Sequence, residues 1–280
     1  MNLFIETLKA ALFGVVEGIT EWLPISSTGH MILLDEFVRM RMSDAFMEMF
    51  NVVIQLGAIL AVVVLYFPKL WPFKRRNPGE GLAGCLKRET WLLWFKVIVA
   101  IIPSALIGLP LDDWMDVHLH TPVIVAAMLI LYGAAFILIE RSEKLRAKTS
   151  VRDVSGISFR LALLIGCFQA LSLVPGTSRS GATILGGIIL GCSRAAASEF
   201  SFFMAIPTMA GASLIKVLKF GLVFTASELL ILLVGCVTAF VVSIVAIRTF
   251  IDYIKRNSFA AFGWYRIVLG ALVCVYFLLR

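Results

Sequence analysis

The chain has 280 residues, of which 60% are apolar, 21 are Phe, 6 are Trp and only 15% are charged. No soluble domain of that size hides so much hydrophobic surface, so this is a membrane protein, with room for about six to eight segments of roughly 20 residues and no separate soluble domain. The net charge of +7 is crowded into two loops, which speaks of membrane topology and against nucleic-acid binding.

Residues 2–16 are apolar but too short to span a bilayer. Glu17 interrupts the run and no small-residue cleavage site follows, so no removable signal peptide is expected. The string Glu17-Gly-Ile-Thr-Glu21-Trp-Leu-Pro24-Ile-Ser26-Ser27-Thr28-Gly29-His30 comes next, after which Met31–Leu34 resumes before Asp35, Glu36, Arg39 and Arg41. That profile predicts a re-entrant helical hairpin broken over residues 17–30. Broken backbone at membrane depth is tolerated only inside protein or beside a watery cavity, so the break itself predicts a pocket.

Residues 46–67 make a full span ending at Phe67-Pro68. The loop 69–90 carries Lys69, Lys74, Arg75, Arg76, Lys87 and Arg88 against two Glu, and the positive-inside rule places it in the cytoplasm. Residues 91–110 then cross outward, kinked at Pro103, to an acidic outer loop holding Asp112, Asp113, Asp116, His118 and His120. Residues 122–140 return to a second basic loop with Arg141, Lys144, Arg146, Lys148 and Arg152. A second interrupted hairpin is predicted over 157–192, followed by spans at 199–217, past Pro207, at 226–249, leading to Asp252, Lys255 and Arg256, and at 261–279. The expected fold is an all-α polytopic membrane protein, a single domain over 1–280 with six spans, two re-entrant hairpins and both termini outside. Cys85, Cys167, Cys192, Cys236 and Cys274 are scattered and form no ligand-like cluster, so they read as small apolar residues.

The second hairpin contains Gln169-Ala-Leu-Ser-Leu173-Val-Pro175-Gly176-Thr177-Ser178-Arg179-Ser180-Gly181-Ala182-Thr183, an altered copy of the first break at an offset of 152, and Glu48 and Glu199 recur at 151. Halves of about 1–150 and 151–280, each with one hairpin and three spans, must lie upside down relative to each other. In inverted repeats the broken helices meet near the bilayer midplane and build the site there. Aligning Gly29 with Gly181 sets Glu17 against Gln169, Glu21 against Leu173, Ser27 against Arg179 and His30 against Ala182. Such a division of labour suits one asymmetric reaction centre better than a symmetric conduit.

Glu17 and Glu21, four apart on a helix, share a face, and two close carboxylates in a low-dielectric setting share a proton or a cation; a hard divalent ion, Mg²⁺ or Ca²⁺, is the natural third party. The alternative is a pair that merely lines a watery vestibule. Pro175–Thr183 places backbone N–H groups, hydroxyls and Arg179 at a helix start, a phosphate cradle in type; the alternative is an Arg–carboxylate pair that seals the two hairpins. His30 neighbours hydroxyl nucleophiles. Ser27 attacks with His30 as base, or His30 attacks, or His30 serves a water or a leaving group. Asn51 and Gln55 are further polar groups in the next span.

The Glu17–Glu21 pair, the Pro24–His30 string and Pro175-Gly-x-Ser-Arg-Ser-x-x-Thr183 together resemble the signatures of the bacterial undecaprenyl-diphosphate phosphatases, the bacitracin-resistance membrane family, over essentially the whole chain. The resemblance implies hydrolysis of undecaprenyl diphosphate to the monophosphate, recycling the carrier for cell-wall synthesis, with a divalent cation. It implies a multi-pass protein of the bacterial plasma membrane whose site opens to the periplasmic side. Carried over by position, Glu17 and Glu21 are the metal- or acid-associated pair and Ser27 or His30 the nucleophile or base. Arg179 with Ser178, Ser180 and Thr183 is the diphosphate clamp, to which Ser26 and Thr28 add hydroxyls. Expected partners are the polyprenyl diphosphate and membrane lipids, with a homodimer as a further candidate.

Three rivals remain at this stage. Inverted repeats with broken helices also build carriers, so a polyprenyl-phosphate flippase using the same site is the main one. A phosphatase of the acid-phosphatase-like lipid phosphatase superfamily needs a second His and a Lys–Arg motif not evident here. A structural channel leaves the Glu pair and the Arg unexplained.

Overall fold

The computed structural model describes residues 2–74, 85–119 and 121–279. Arg75 and Arg76 of the predicted basic loop, together with His120, lie outside the described residues, as do the side chains of Asp112, Asp113, Asp116 and Arg146.

Helix α1 (Leu3–Thr20) starts where the Asn2 side chain accepts the Phe4 N–H, and it continues through Glu17 to a cap at Glu21. The first break is therefore shorter than predicted, confined to about 21–26, because Gly18 to Thr20 keep the helical ladder until Pro24 removes a donor. Helix α2 (Ser27–Phe37) begins at Ser26, which takes a φ of 72° and caps the Gly29 N–H. Then come α3 (Asp44–Leu65), capped by Ser43, and the short α4 (Phe67–Leu70). Helix α5 (Arg88–Leu119) differs from expectation: it runs 32 residues through both Pro103 and Pro110, so the predicted acidic loop is helix as far as Leu119. Each proline removes a backbone donor and crowds the carbonyl four residues back, a loss that neighbouring groups can absorb in membrane helices. In its last turn His118 bonds the Trp114 carbonyl through Nδ1 and stacks on the Trp114 ring at 4.8 Å.

Thr121 and Pro122 start α6 (Pro122–Arg141), followed by α7 (Glu143–Ala147). Helix α8 (Phe159–Ala170) ends in a 3₁₀ turn at Leu171–Leu173, and α9 (Arg179–Ile189) starts at Ser178, again with φ 72°. Three long helices complete the chain: α10 (Arg194–Phe220) with Pro207 inside, α11 (Ala226–Arg256) behind a Thr225/Glu228 capping box, and α12 (Ala260–Leu278). Among the described residues six helices are long and apolar enough to cross a membrane, α3, α5, α6, α10, α11 and α12. They coincide with the six predicted spans. The five cysteines are free thiols.

The most extensive helix contacts are α6 on α12, α1 on α11, α3 on α11, α8 on α5 and α3 on α10. Small residues let the backbones close. A Cβ added at Gly166 would stand 2.0 Å from the Ala100 carbonyl oxygen, and one at Gly133 would stand 2.7 Å from that of Gly263, with the reciprocal distance also 2.7 Å. Around Trp22, Phe200, Phe202, Phe203, Phe250 and Phe259 the core is aromatic, while Leu106, Leu131, Leu138 and Leu272 are exposed, as lipid-facing positions must be. At one end, Arg194 grips Glu140 through Nε at 2.9 Å and Nη2 at 2.5 Å, and Glu140 also accepts the Phe259 N–H, which joins α6, α10 and the start of α12.

Overpacking a backbone contact costs about 1–3 kcal/mol. Gly166→Ala, aimed at the Ala100 carbonyl, is therefore expected to lower the thermal midpoint in detergent by several degrees. Gly211→Ala, with nothing within 4 Å of the added methyl, should leave it unchanged or slightly raised.

Candidate active site

The end of α1 carries two carboxylates, both buried. Glu17, in the last helical turn, interacts directly with Glu21 one turn on, as the spacing of four requires. Glu21 is the hub. Its Oε2 accepts the Ser27 hydroxyl at 2.8 Å and its Oε1 takes Arg179 Nη2 at 2.9 Å, so the first residues of α2 and α9 meet on one carboxylate.

Arg179 is held on its other side as well. Nη1 donates to the Ser201 carbonyl at 2.7 Å and contacts the Ser201 hydroxyl at 3.1 Å, while the guanidinium lies 5.8 Å from the Trp22 ring centre. Such a planar cation keeps its fork aimed while one amino group changes partner.

The remaining predicted groups take different places. Thr28 lines the cavity with Glu17 and Ser27. Ser26 and Ser178 spend their hydroxyls as caps on Gly29 and Gly181. Ser180 donates to the carbonyls of Glu21 and Leu23 at 3.0 and 3.2 Å, binding the second break to the first. Thr183 bonds the Arg179 carbonyl at 2.9 Å and the Ser201 hydroxyl at 2.7 Å, deep in the protein. His30 is turned away from Ser27 Oγ: its Nδ1 meets the Ser26 carbonyl and its Nε2 the Tyr265 hydroxyl, each at 2.7 Å.

A cavity of about 820 Å³ opens over Glu17, Ser27 and Thr28, bounded by Asn51, Gln55 and Lys216. Among the described residues two oxygens of its lining side chains, Glu17 Oε1 and Asn51 Oδ1, are buried and without a hydrogen-bond partner, as is Arg179 Nε. Hard oxygen donors of that kind suit Mg²⁺ or Ca²⁺, and Glu17 fits such an ion. Glu21 fits less well, since both its oxygens are already engaged. No three His, Cys, Asp or Glu side chains converge on an ion position among the described residues.

Ser201, Tyr265 and Arg266 escaped the sequence reading. Arg266 carried a usable signal, being the only charged residue of 260–279, and an ionisable group inside a span is a functional hypothesis by default. Ser201 carried none.

Residues 10–272 match the family described as bacitracin resistance protein BacA. The chain belongs to that family. It is 58% identical over 270 residues, 96% of each chain, to an undecaprenyl-diphosphatase of Enterococcus faecalis. Undecaprenyl-diphosphatases of Lactiplantibacillus plantarum (56% over 278 residues, 98% of this chain and 99% of the relative) and Acetivibrio thermocellus (55% over 274 residues, 98% of each) are similar over nearly their whole length. Both breaks and every site residue named above fall inside the matched stretch.

Breaking a buried ion pair from one side strands a charge, at about 3–5 kcal/mol, whereas replacing both partners with apolar groups is far less costly. Arg179→Met should therefore lower the denaturation midpoint in detergent, and Arg179→Met/Glu21→Leu should recover most of the loss. A double variant as unstable as the sum of its singles would contradict the pairing.

Proposed function

We infer that the chain is an undecaprenyl-diphosphatase, hydrolysing undecaprenyl diphosphate to undecaprenyl phosphate and inorganic phosphate and so conferring bacitracin resistance by recycling the lipid carrier for cell-wall synthesis. One observation carries the mechanism: a single carboxylate, Glu21, holds both the Ser27 hydroxyl, which lines the cavity, and the Arg179 guanidinium. Ser27 Oγ is the nucleophile. As it attacks the terminal phosphorus, its proton passes to Glu21 Oε2, the P–O bond to the bridging oxygen breaks, and undecaprenyl phosphate leaves with that oxygen. Water then releases phosphate from Ser27 and restores the hydroxyl.

Arg179 Nη2, freed from Glu21 as that carboxylate is neutralised, turns to the phosphoryl oxygens while Nη1 stays anchored on Ser201. Charge stabilisation of this kind is most of what phosphoryl transfer demands. A divalent cation, Mg²⁺ or Ca²⁺, would be held first by Glu17 with Asn51 beside it, and when bound it would neutralise charge on the diphosphate oxygens. His30 acts on the backbone of the break and not on Ser27.

The same proposal includes two re-entrant hairpins, α1–α2 and α8–α9, related as an inverted repeat. Three features support it. Ser26 and Ser178 share a φ of 72° 152 positions apart, Gly133 and Gly263 approach each other reciprocally, and Glu48–Lys216, between α3 and α10, is answered by Glu199–Lys69, between α10 and α4. The cavity then opens on the outer face of the plasma membrane, since Val117 and Pro122 on its rim lie at the opposite ends of their helices from the basic loops. Lipid covers the exposed apolar faces; a second copy of the chain is a further candidate for part of them, read out by molar mass in detergent.

Phosphate release from undecaprenyl diphosphate by purified protein should be chelator-sensitive and should fall by at least about 10²-fold in Ser27→Ala and in Arg179→Ala. Near-parental release in either variant would remove that residue from the mechanism. Topology is tested separately with an impermeant thiol reagent on intact cells of a cysteine-free parent. Asn2→Cys and Arg39→Cys, at the two ends of the first hairpin, should label from the same outer side, and labelling from opposite sides would make α1–α2 a crossing segment.

A further inference from the structure

Helices that stop inside an apolar layer leave carbonyls without intrahelical donors, and no water is at hand to replace them. Arg266, on α12, is fully buried and fills that need. Its Nη1 donates to the Pro24 carbonyl at 3.1 Å, and its Nη2 to the Gly176 and Thr177 carbonyls at 2.8 and 2.9 Å. Longer contacts reach Met128 and Leu129 on α6, at 3.4 and 3.5 Å, and the Tyr132 ring lies 5.6 Å away. Pro24 belongs to the first break, Gly176 and Thr177 to the second. One guanidinium thus spans both, which the three donors of a lysine at a single point do not reproduce. Gly181 leaves the room, since a Cβ there would stand 3.1 Å from Nη1.

Tyr265, the preceding residue, acts on the first break by another route. Its hydroxyl meets His30 Nε2 at 2.7 Å, and His30 Nδ1 meets the Ser26 carbonyl at the same distance, with the two rings nearly parallel. A carbonyl only accepts, so in the neutral imidazole Nδ1 carries the hydrogen and Nε2 accepts from the tyrosine. The chain of two bonds ends on Ser26, whose φ of 72° is a strained conformation for a non-glycine residue and persists only where its surroundings enforce it.

We propose that Tyr265 and Arg266 form a positioning clasp, fixing Ser26 through His30 and both breaks through their carbonyls, and thereby setting the register between Ser27 and Arg179. Neither side chain lines the cavity, and both act through other groups. The catalytic consequence rests on the phosphatase mechanism above; the clasp itself does not.

The test uses the full chain in detergent, with hydrogen–deuterium exchange beside steady-state kinetics on undecaprenyl diphosphate. Tyr265→Phe keeps the ring and its packing, so the thermal midpoint should hold while amides of residues 26–29 exchange about tenfold faster. In the same variant kcat should fall about tenfold with KM within about twofold, the signature of misplacement without lost binding. Arg266→Lys should loosen both 25–29 and 176–181 with the remaining helices unchanged. Parental exchange at the breaks in Tyr265→Phe overturns the clasp, and faster exchange with parental kcat overturns its positioning role. Should Arg266→Lys fail to fold, Tyr265→Phe decides alone; should the parent release no phosphate, exchange still decides the clasp while the phosphatase mechanism falls separately.

Discussion

Everything at the centre of the molecule depends on one carboxylate having two partners. Glu21 sits where α1 ends and reaches Ser27 at the start of α2 and Arg179 at the start of α9. Those three helix ends belong to segments about 150 residues apart, so the contact joins the two halves of the chain at the point where both are broken. Its value lies in geometry more than in stability. A buried ion pair loses in desolvation much of what it gains in attraction, but it keeps a guanidinium and a hydroxyl aimed at one small volume before any ligand enters. Like the carboxylate, the diphosphate presents negatively charged oxygens that accept hydrogen bonds from a guanidinium fork, so exchange of one for the other on Arg179 needs little rearrangement.

Much of this was legible from residue order. Six spans followed from apolar length and from two basic loops, Glu17, Glu21 and Arg179 stood out because charged groups inside apolar runs demand a reason, and Ser27 stood out as a hydroxyl beside His30. Boundaries were harder. The first break looked as long as its unusual composition, 17–30, yet Glu17 and Thr20 are ordinary helix and Ser27 already starts the next one; composition marks where chemistry is, not where hydrogen bonding stops. Past Pro110 the helix α5 continues, because a proline's cost depends on neighbours that no local pattern reveals.

Hydroxyls and histidine were ambiguous for another reason. A serine at a helix start serves equally as cap, as inter-helix tie or as ligand, and only position separates Ser178 the cap from Ser180 the tie and Thr28 on the cavity wall. His30 lies four residues beyond the cap Ser26 and close to nucleophile candidates in the chain, but its side chain points to a partner 235 positions away. Arg266 left a visible charge and an invisible purpose, since its partners are backbone carbonyls and carry no side-chain signature.

The two breaks share their backbone and differ in their chemistry, and the difference has a physical basis. Gln169 stands where its counterpart is Glu17. Its amide nitrogen bonds Ser104 at 2.7 Å and contacts Thr208 at 3.4 Å, filling the matching position with a neutral group that draws in neither cation nor proton. A second carboxylate pair there would add buried like charge with no Arg179 to answer it, because Ser27 occupies the corresponding place in the first copy. One break can carry the acids only if the other carries the cation. In the proposed inverted repeat the two helix starts then meet on Glu21, with Ser27 at the head of one and Arg179 at the head of the other.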